Sequence, residues 1–299
     1  MRVSERQRYN VTTDRVERAK TSNSKMLEKM STQKRISRLS DDPVGMGQAI
    51  REKDRIARQN QYQKNVLFAQ GFIERTESAI SGIADFLIRA KELAVQQANA
   101  TYGAAGRKST SMEVRQIMDG VIALANTSYG NRYVFAGYRA LTPPLTLDGQ
   151  YVGDDGAVFL PIDEGNFRQI NIQPRYLFEN SEEEKVAGHF PLVHTLSILH
   201  EGLQTNDVHM IRKSMEELEF QLGKVNTYQA KLGAIHSSLS GSLERLELGE
   251  ELSMESLSKI EDADMFRTTS DFKRTETVLQ STLMASNKLL QPSLLNFLQ

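Results

Sequence analysis

A chain of 299 residues, 39% hydrophobic and 25% charged, is long enough for one large domain or two modest ones. It contains no cysteine, which excludes disulfide bonds, thiolate metal sites and a thiol nucleophile. A formal net charge of -1 gives no overall reason to expect nucleic acid, and no apolar run approaches the ~20 residues of a membrane span.

The first sixty residues are helix-like but interrupted at Ser40-Asp41-Asp42-Pro43. Asp42 suits the N-cap of a helix and Pro43 its first position, because proline lacks the amide that would be unpaired there. Neighbouring aspartates could also bind a metal or act as acid and base. Before a proline, a cap and turn are the more frequent structure, so we favour that interpretation.

Charge is distributed unevenly between the two ends. Lysine and arginine dominate the first forty residues, whereas aspartate and glutamate dominate residues 244–276. A basic N-terminal arm could bind nucleic acid, or it could be a solvated helix face. We favour a third interpretation, in which the two ends of the chain attract each other.

Two helices are predicted next. Apolar residues seven apart define the first, and Val114, Ile117, Val121 and Leu124 define the face of the second. We expect a turn at residues 102–106 and a capping box between Thr110 and Glu113. Neither helix can bury its apolar face alone, so we expect them to pack together. The spaced residues of the first helix are Val66, Ile73, Ile80, Leu87 and Ala94.

Residues 138–178 have a different pattern, with prolines, glycines and alternating apolar positions. Val158, Leu160 and Ile162 alternate, and Asp163-Glu164-Gly165-Asn166 predicts a hairpin turn. Asp154-Asp155-Gly156 lacks the remaining ligand spacing of a calcium loop, so a polar turn is the better interpretation. The sequence therefore predicts a small β insertion between helices.

The strongest periodicity lies between residues 208 and 246. One row of apolar residues recurs every seventh position, and a second row lies between its members. This pattern predicts a coiled-coil-like helix roughly 60 Å long. A lone histidine in such a row is typical of packing or register and not of a ligand. The first row is Ile211, Leu218, Val225, Leu232, Leu239 and Leu246; the second is Val208, Met215, Leu222, Gln229, His236 and Leu243.

The C-terminal end is apolar, although chain ends are usually polar. Such a helical end needs a partner surface, in another subunit or in its own fold. The residues predicted to form a subunit or partner interface are Met265, Phe272, Leu279, Leu283, Leu290, Leu294, Leu295, Phe297 and Leu298.

Chemistry-bearing motifs are scarce. The sequence has no phosphate-binding Gly-Lys-Ser loop and no zinc-type histidine pair, and its five histidines are scattered. We therefore predict an assembly protein and not an enzyme, with no cofactor and no metal. The predicted fold is mainly α: a long coiled-coil-like helical bundle from both chain ends with a small β insertion in the middle.

Several segments resemble the flagellin family. Residues 34–45, Lys-Arg-Ile-Ser-Arg-Leu-Ser-Asp-Asp-Pro-Val-Gly, are similar to its N-terminal signature, and residues 92–99 are similar to the end of its first long core helix. Residues 257–264 and 293–298 resemble its C-terminus. Within the family, the start Met1-Arg2-Val3-Ser4, Pro43 and residues 131–137 resemble the branch that joins hook to filament.

The resemblance implies a layered fold. Residues 1–45 and 252–299 would form a terminal helical inner layer. Residues 46–137 and 188–251 would form the helical bundle core, and residues 138–187 a β-rich outer module. The signature turn would be Ser40, Asp41, Asp42 and Pro43.

The resemblance also implies a role and partners. The chain would be a structural protein of the bacterial flagellum that forms the junction between hook and filament and templates filament assembly. A homo-oligomeric ring would contact hook-associated protein 1 and flagellin, without nucleic acid and without membrane insertion. Export would use the flagellar type III export apparatus and an export chaperone. Since MRVSERQRYN has no apolar signal segment, we expect secretion without cleavage and an extracellular location.

Three alternatives remain open from the sequence. The first is a flagellin that forms the filament itself. The second is a DNA-binding protein with a basic arm, which salt-dependent binding to duplex DNA would support. The third is an enzyme whose turnover depends on Asp41 or Asp42.

Overall fold

The computed structural model describes residues 2–98 and 103–290. It is 74% helical, so the predicted mainly α fold is confirmed. The elements in chain order are α1 (Arg2–Thr32), α2 (Pro43–Ala98), α3 (Ala104–Ala125), β1 (Ser128–Tyr129), β2 (Arg132–Tyr133), β3 (Phe159–Asp163), β4 (Asn166–Gln169), α4 (Arg175–Phe178), α5 (Glu182–Val186), α6 (Leu192–Thr205), α7 (Val208–Glu261) and α8 (Met265–Leu290).

The chain divides into two compact units. Met1–Arg58 and Gly249–Gln299 form one, here called the terminal unit, and residues 59–248 form the other, here called the central unit. No helix within the described residues is long and apolar enough to cross a membrane.

The central unit has a helical core that the sevenfold spacing predicted. Every member of the α2 row is buried, from Val66 to Ala94, and so is the α7 row from Ile211 to Leu246. Val114, Ile117 and Val121 of α3 join the same core, together with α6. Helices with one apolar stripe are stable here because each covers the stripe of another.

The second row predicted on α7 is only half-buried, and a polar row lies deeper. Four buried residues of this row lie seven residues, or a multiple of seven, apart: Ser214, Gln221, Tyr228 and Ser242. The Gln221 side-chain amide donates to the carbonyl of Phe190 at 2.6 Å, and the Tyr228 hydroxyl donates to the carbonyl of Gln173 at 3.3 Å. Gln221 and Tyr228 thus supply donors to carbonyls of irregular backbone, whereas the Ser214 and Ser242 hydroxyls donate to carbonyls of α7 itself.

The start of α3 differs from the prediction. The helix begins at Ala104 with Gly103 as its N-cap, so Thr110 lies inside it and its hydroxyl donates to the carbonyl of Gly106 at 3.2 Å. Glu113 instead pairs with Arg89 at 2.8 Å. The predicted capping box is therefore wrong, because a threonine inside a helix bonds the preceding turn just as readily. The predicted turn at 102–106 is also wrong at residues 104–106, which already belong to α3, and residue 102 lies outside the described residues.

The β insertion is small and antiparallel, as predicted. Strand β3 pairs with β4, Asp163 lies opposite Asn166, and Gly165 has a φ of +71° in the turn between them. The Asp154 carboxylate accepts hydrogen bonds from the amides of Tyr138 at 2.6 Å and Gly156 at 2.8 Å. Residues 154–156 thus form a polar turn.

In the terminal unit, α1 and α8 pack along each other. The side chains buried there are small and polar, namely Thr12, Thr268 and Ser286, and the Thr275 hydroxyl hydrogen-bonds Asn23 at 3.2 Å. The predicted contact between the two chain ends is confirmed. Among the described residues, however, no ion pair joins α1 to α8. Helix α8 itself carries four lysines and arginines against two acids, so most acidic residues of this end of the chain precede it.

Candidate assembly interface

The signature turn belongs to a segment that joins α1 to α2. Residues 33–42, here called the signature segment, pair with the chain between α7 and α8. The Arg35 amide donates to the carbonyl of Glu261 at 2.7 Å, and the Ala263 amide donates to the carbonyl of Gln33 at 2.9 Å. Gln33 has a φ of +58°, a conformation uncommon for a residue with a Cβ, at the end of α1. The two ends of the chain are thereby joined at this point.

A buried carboxylate holds this joint together. Glu261 lies 2.8 Å from Lys34 Nζ and 2.8 Å from Lys53 Nζ, and its side chain is 5% exposed. Burial raises the pKa of the Glu261 carboxyl, but the hydrogen bonds from Lys34 and Lys53 outweigh it, so the net pKa is lowered. Glu261 therefore stays ionised at neutral pH and links three segments of the terminal unit.

The two aspartates of the signature turn are both bound to backbone amides. Asp41 accepts from the amides of Ser37 at 3.3 Å and Arg38 at 3.0 Å. The bond from Arg38 and then that from Ser37 lower the pKa of the Asp41 carboxyl. Asp42 accepts from the amide of Gly45 at 2.9 Å, as an N-cap of α2 should. The predicted cap, with Pro43 as the first helical residue, matches this geometry.

The absence of a side chain at Gly45 allows the close packing of this turn. A Cβ at Gly45 would overlap a carboxylate oxygen of Asp42 and would lie 2.6 Å from Cδ1 of Ile36, which is fully buried. Only a residue without a side chain lets the cap and Ile36 approach the helix together. Ser40 is exposed beside this arrangement.

Replacing Asp42 with alanine should lower the free energy of unfolding by about 1 kcal/mol, because the Gly45 amide loses its cap. Urea unfolding followed by circular dichroism measures this. Asp54→Ala is the matched control, since Asp54 lies on the same helix in an exposed pair with Arg58 and should cost less than about 0.5 kcal/mol. Equal losses in both variants would contradict the assigned cap.

The predicted interface residues of α8 occupy different environments. Met265, Phe272 and Leu279 are half-buried, and Leu283 is exposed. Leu290 is the last residue of α8, and its side chain lies outside the described residues. The predictions at Leu294, Leu295, Phe297 and Leu298 also lie outside the described residues. The interface assignment of all nine stays a prediction.

The terminal unit exposes further apolar side chains that periodicity did not identify. Phe266 at the start of α8 is 90% exposed, and Val44 is 73% exposed. Single positions of this kind give no signal in one sequence, because heptad spacing finds the residues that a fold buries. Besides the predicted Leu283, the other exposed apolar residues of this unit are Tyr9, Val11, Leu27, Leu39, Ile50, Leu252, Met254, Val278 and Met284. Where exposed apolar side chains lie together on a surface, they mark a site of interaction.

Comparison with known families agrees with this geometry. The sequence model of the bacterial flagellin N-terminal helical region matches residues 3–140, and that of the C-terminal helical region matches residues 215–298. The chain belongs to the flagellin family. Its matched regions include both halves of the joint at Glu261.

Relatives of full length lie in two branches. The chain is 28% identical to flagellar hook-associated protein 3 of Salmonella typhimurium, over 94% of both chains. It is 23% identical to flagellin of Bacillus subtilis, over 90% of both chains. The hook-associated proteins are thus more similar than that flagellin.

Solved structures agree with the fold. The structure of Bacillus cereus FlgL has a TM-score of 0.61 at 22% identity and covers 70% of this chain and 99% of that one. The flagellar junction protein FlgL of Legionella pneumophila has a TM-score of 0.51 at 16% identity, covering 73% and 99%. The family is one of structural flagellar proteins, and the predicted location in the bacterial flagellum is confirmed at that level.

Proposed function

We propose that this chain is a structural subunit that joins the hook to the filament and templates filament assembly. The observation that carries the proposal is the similarity to hook-associated protein 3 over 94% of both chains, which exceeds that to flagellin. A structural role also fits the terminal unit, whose exposed apolar side chains have no cover within the unit.

The proposed partners follow from that position. A ring of copies would contact hook-associated protein 1 on one side and flagellin on the other. Before assembly, an export chaperone would cover the C-terminal helix, and the type III apparatus would secrete the chain without signal cleavage. The terminal residues 1–45 and 252–299 would form the inner layer, residues 46–137 and 188–251 the bundle, and residues 138–187 the outermost module.

The driving force for assembly is burial of the exposed apolar surface. Each apolar Å² removed from water contributes about 25 cal/mol, and association must offset lost freedom of motion. Val44, Phe266 and Met284 are each at least 67% exposed, so they have most of their surface left to bury. Met265, Phe272, Leu279 and Leu283 would add to this interface from α8.

Deleting the gene in the source bacterium tests the proposal. Loss of a junction protein should leave cells with hooks but no filaments and should release flagellin monomers into the medium. Electron microscopy of the cells and a flagellin immunoblot of the medium measure both outcomes. Filaments of normal length on the deletion strain would refute the junction role.

Complementation extends the same experiment to the predicted interface. The full chain should restore filaments, whereas a chain without residues 290–299 should not, because it lacks the predicted apolar end. Circular dichroism of the purified shortened chain is the folding control. Restored filaments with the shortened chain would exclude the end as an assembly surface.

One alternative keeps specific support. The chain is similar to flagellin of Bacillus subtilis over 90% of both chains, so a filament-forming subunit is the second candidate. Such a subunit, when purified, should grow long filaments unaided from short filament fragments. A junction subunit should instead stop after a limited number of copies.

A further inference from the structure

The surface between α1 and α8 contains a groove with an asymmetric lining. It measures about 530 Å³ and is formed by Arg15, Arg18 and Ala19 on one side and by Val278 and Thr282 on the other. Thr12, Ser281, Ala285 and Ser286 complete its lining. These small residues leave room for side chains of another helix, and the arginines place positive charge along one wall.

The charges of this wall are largely unmatched inside the terminal unit. Among the described residues Arg15 has no ion pair, and Arg18 pairs only with Asp14 of its own helix at 2.9 Å, with its side chain 79% exposed. Helix α1 carries eight lysines and arginines against four acids. Val278, on the opposite wall, is 51% exposed. The groove thus offers arginine and apolar contacts together.

A complementary surface lies at the C-terminal end of α7. Residues 249–261 carry four glutamates and one lysine. Glu251 and Glu255 are four residues apart and so share one face of the helix, beside Leu252, which is 56% exposed. Among the described residues Glu251 has no ion pair, and Glu255 pairs only with Lys259 of its own helix at 2.7 Å.

We propose that the groove between α1 and α8 of one copy binds the Glu251–Leu252–Glu255 face of α7 of a second copy of this chain. Arg15 and Arg18 would pair with the two glutamates, and Leu252 would cover Val278. The two surfaces are complementary in charge, because among the described residues the groove wall carries arginines with no ion pair outside their own helix and the α7 face carries glutamates with none outside theirs.

The contact joins two different surfaces, so each copy offers one to each neighbour. Such a head-to-tail contact produces a closed ring when its rotation closes. This inference rests on the proposed function, because only an assembly brings neighbouring copies together. Exposed ion pairs contribute little affinity each, so their main effect is on which surfaces meet.

Disulfide cross-linking tests the contact directly, because the chain has no cysteine of its own. Val278→Cys and Leu252→Cys chains are expressed together in the deletion strain, flagella are isolated, and mild oxidation is followed by non-reducing electrophoresis. We expect a product of twice the chain mass when both variants are present and not when either is alone. A mixture of Lys20→Cys, exposed and outside the groove, with Leu252→Cys should give none.

Charge reversal in the same cysteine backgrounds provides the second arm. Arg15→Glu with Arg18→Glu, or Glu251→Arg with Glu255→Arg, should each lower the cross-linked fraction about tenfold. Chains that carry all four changes should give a cross-linked fraction within about twofold of that of the unreversed pair. Lys20→Glu should leave the cross-linked fraction unchanged. Recovery by the fourfold variant excludes misfolding as the cause of the losses.

The outcomes separate the contact from the proposed function. If immunolabelling finds the chain at the hook–filament boundary but the Val278→Cys and Leu252→Cys chains form no disulfide with each other, the contact alone is overturned. A disulfide in flagella of cells whose filaments persist after gene deletion would keep the contact and overturn the junction role. Equal cross-linking in reversed and unreversed chains would also overturn the contact.

Discussion

Replacing Phe135 with alanine should lower the free energy of unfolding of the central unit by about 3–5 kcal/mol. Phe135 is fully buried, and its ring meets that of Phe178 edge to face at 5.4 Å. Its carbonyl also accepts a hydrogen bond from the Tyr151 hydroxyl at 3.0 Å. Truncation leaves a cavity that this network of side chains and backbone bonds cannot easily close, so we expect a loss near the upper end of the range.

Urea unfolding followed by circular dichroism at 222 nm measures the effect, and hydrogen exchange locates it. Phe167→Ala is the matched control, because Phe167 lies in strand β4 and is 64% exposed; it should cost less than about 0.5 kcal/mol. A loss below about 1.5 kcal/mol for Phe135→Ala would mean that Phe135 does not anchor this part of the core.

Replacing Glu261 with glutamine should lower the stability of the terminal unit by about 2–3 kcal/mol. The change keeps the shape of the side chain but leaves Lys34 and Lys53 without their shared anion. Breaking a fully buried ion pair costs about 3–5 kcal/mol. The expected cost is smaller here because the lysine side chains are 43% and 45% exposed and can turn toward water.

The effect should depend on pH with a defined sign. The pKa of Glu261 is lowered in the folded state, so its contribution is present above its ordinary unfolded pKa of about 4.3 and is lost as pH falls through the folded value. The stability difference between the wild-type chain and Glu261→Gln should therefore be constant from about pH 6 to about pH 5 and shrink in stronger acid. A difference that grows on acidification would contradict this assignment.

Glu255→Gln is the matched control for this experiment. Glu255 lies on the same helix and pairs with Lys259 at 2.7 Å, but both side chains are more than half exposed. We expect little or no loss of stability, because exposed ion pairs contribute little. Hydrogen exchange of residues 33–42 and 258–264 should rise in Glu261→Gln and not in Glu255→Gln, since the Glu261 side chain bonds Lys34 across these segments and the Glu255 side chain pairs with Lys259 of its own helix.

The sequence by itself determined the helices and their buried faces. A repeat of seven places residues such as Ile80 and Leu232 on one side of any helix, and both are fully buried. The cap at Asp42, the hairpin turn at residues 163–166 and the flagellin family were also identified correctly, because each depends on residues adjacent in the chain. Local geometry fixes these features wherever the segment lies.

Only the tertiary structure decided which faces meet. Gln221 lies deeper than the apolar row beside it, because its side-chain amide donates to the carbonyl of Phe190 in the neighbouring irregular backbone. The charge asymmetry was visible in the sequence. The ion pairs of Glu261 with Lys34 and Lys53 were not, because they join residues more than 200 positions apart. The exposure of Phe266 and the groove beside Arg15 likewise follow from packing, since burial is set by neighbours in space and not by neighbours in sequence.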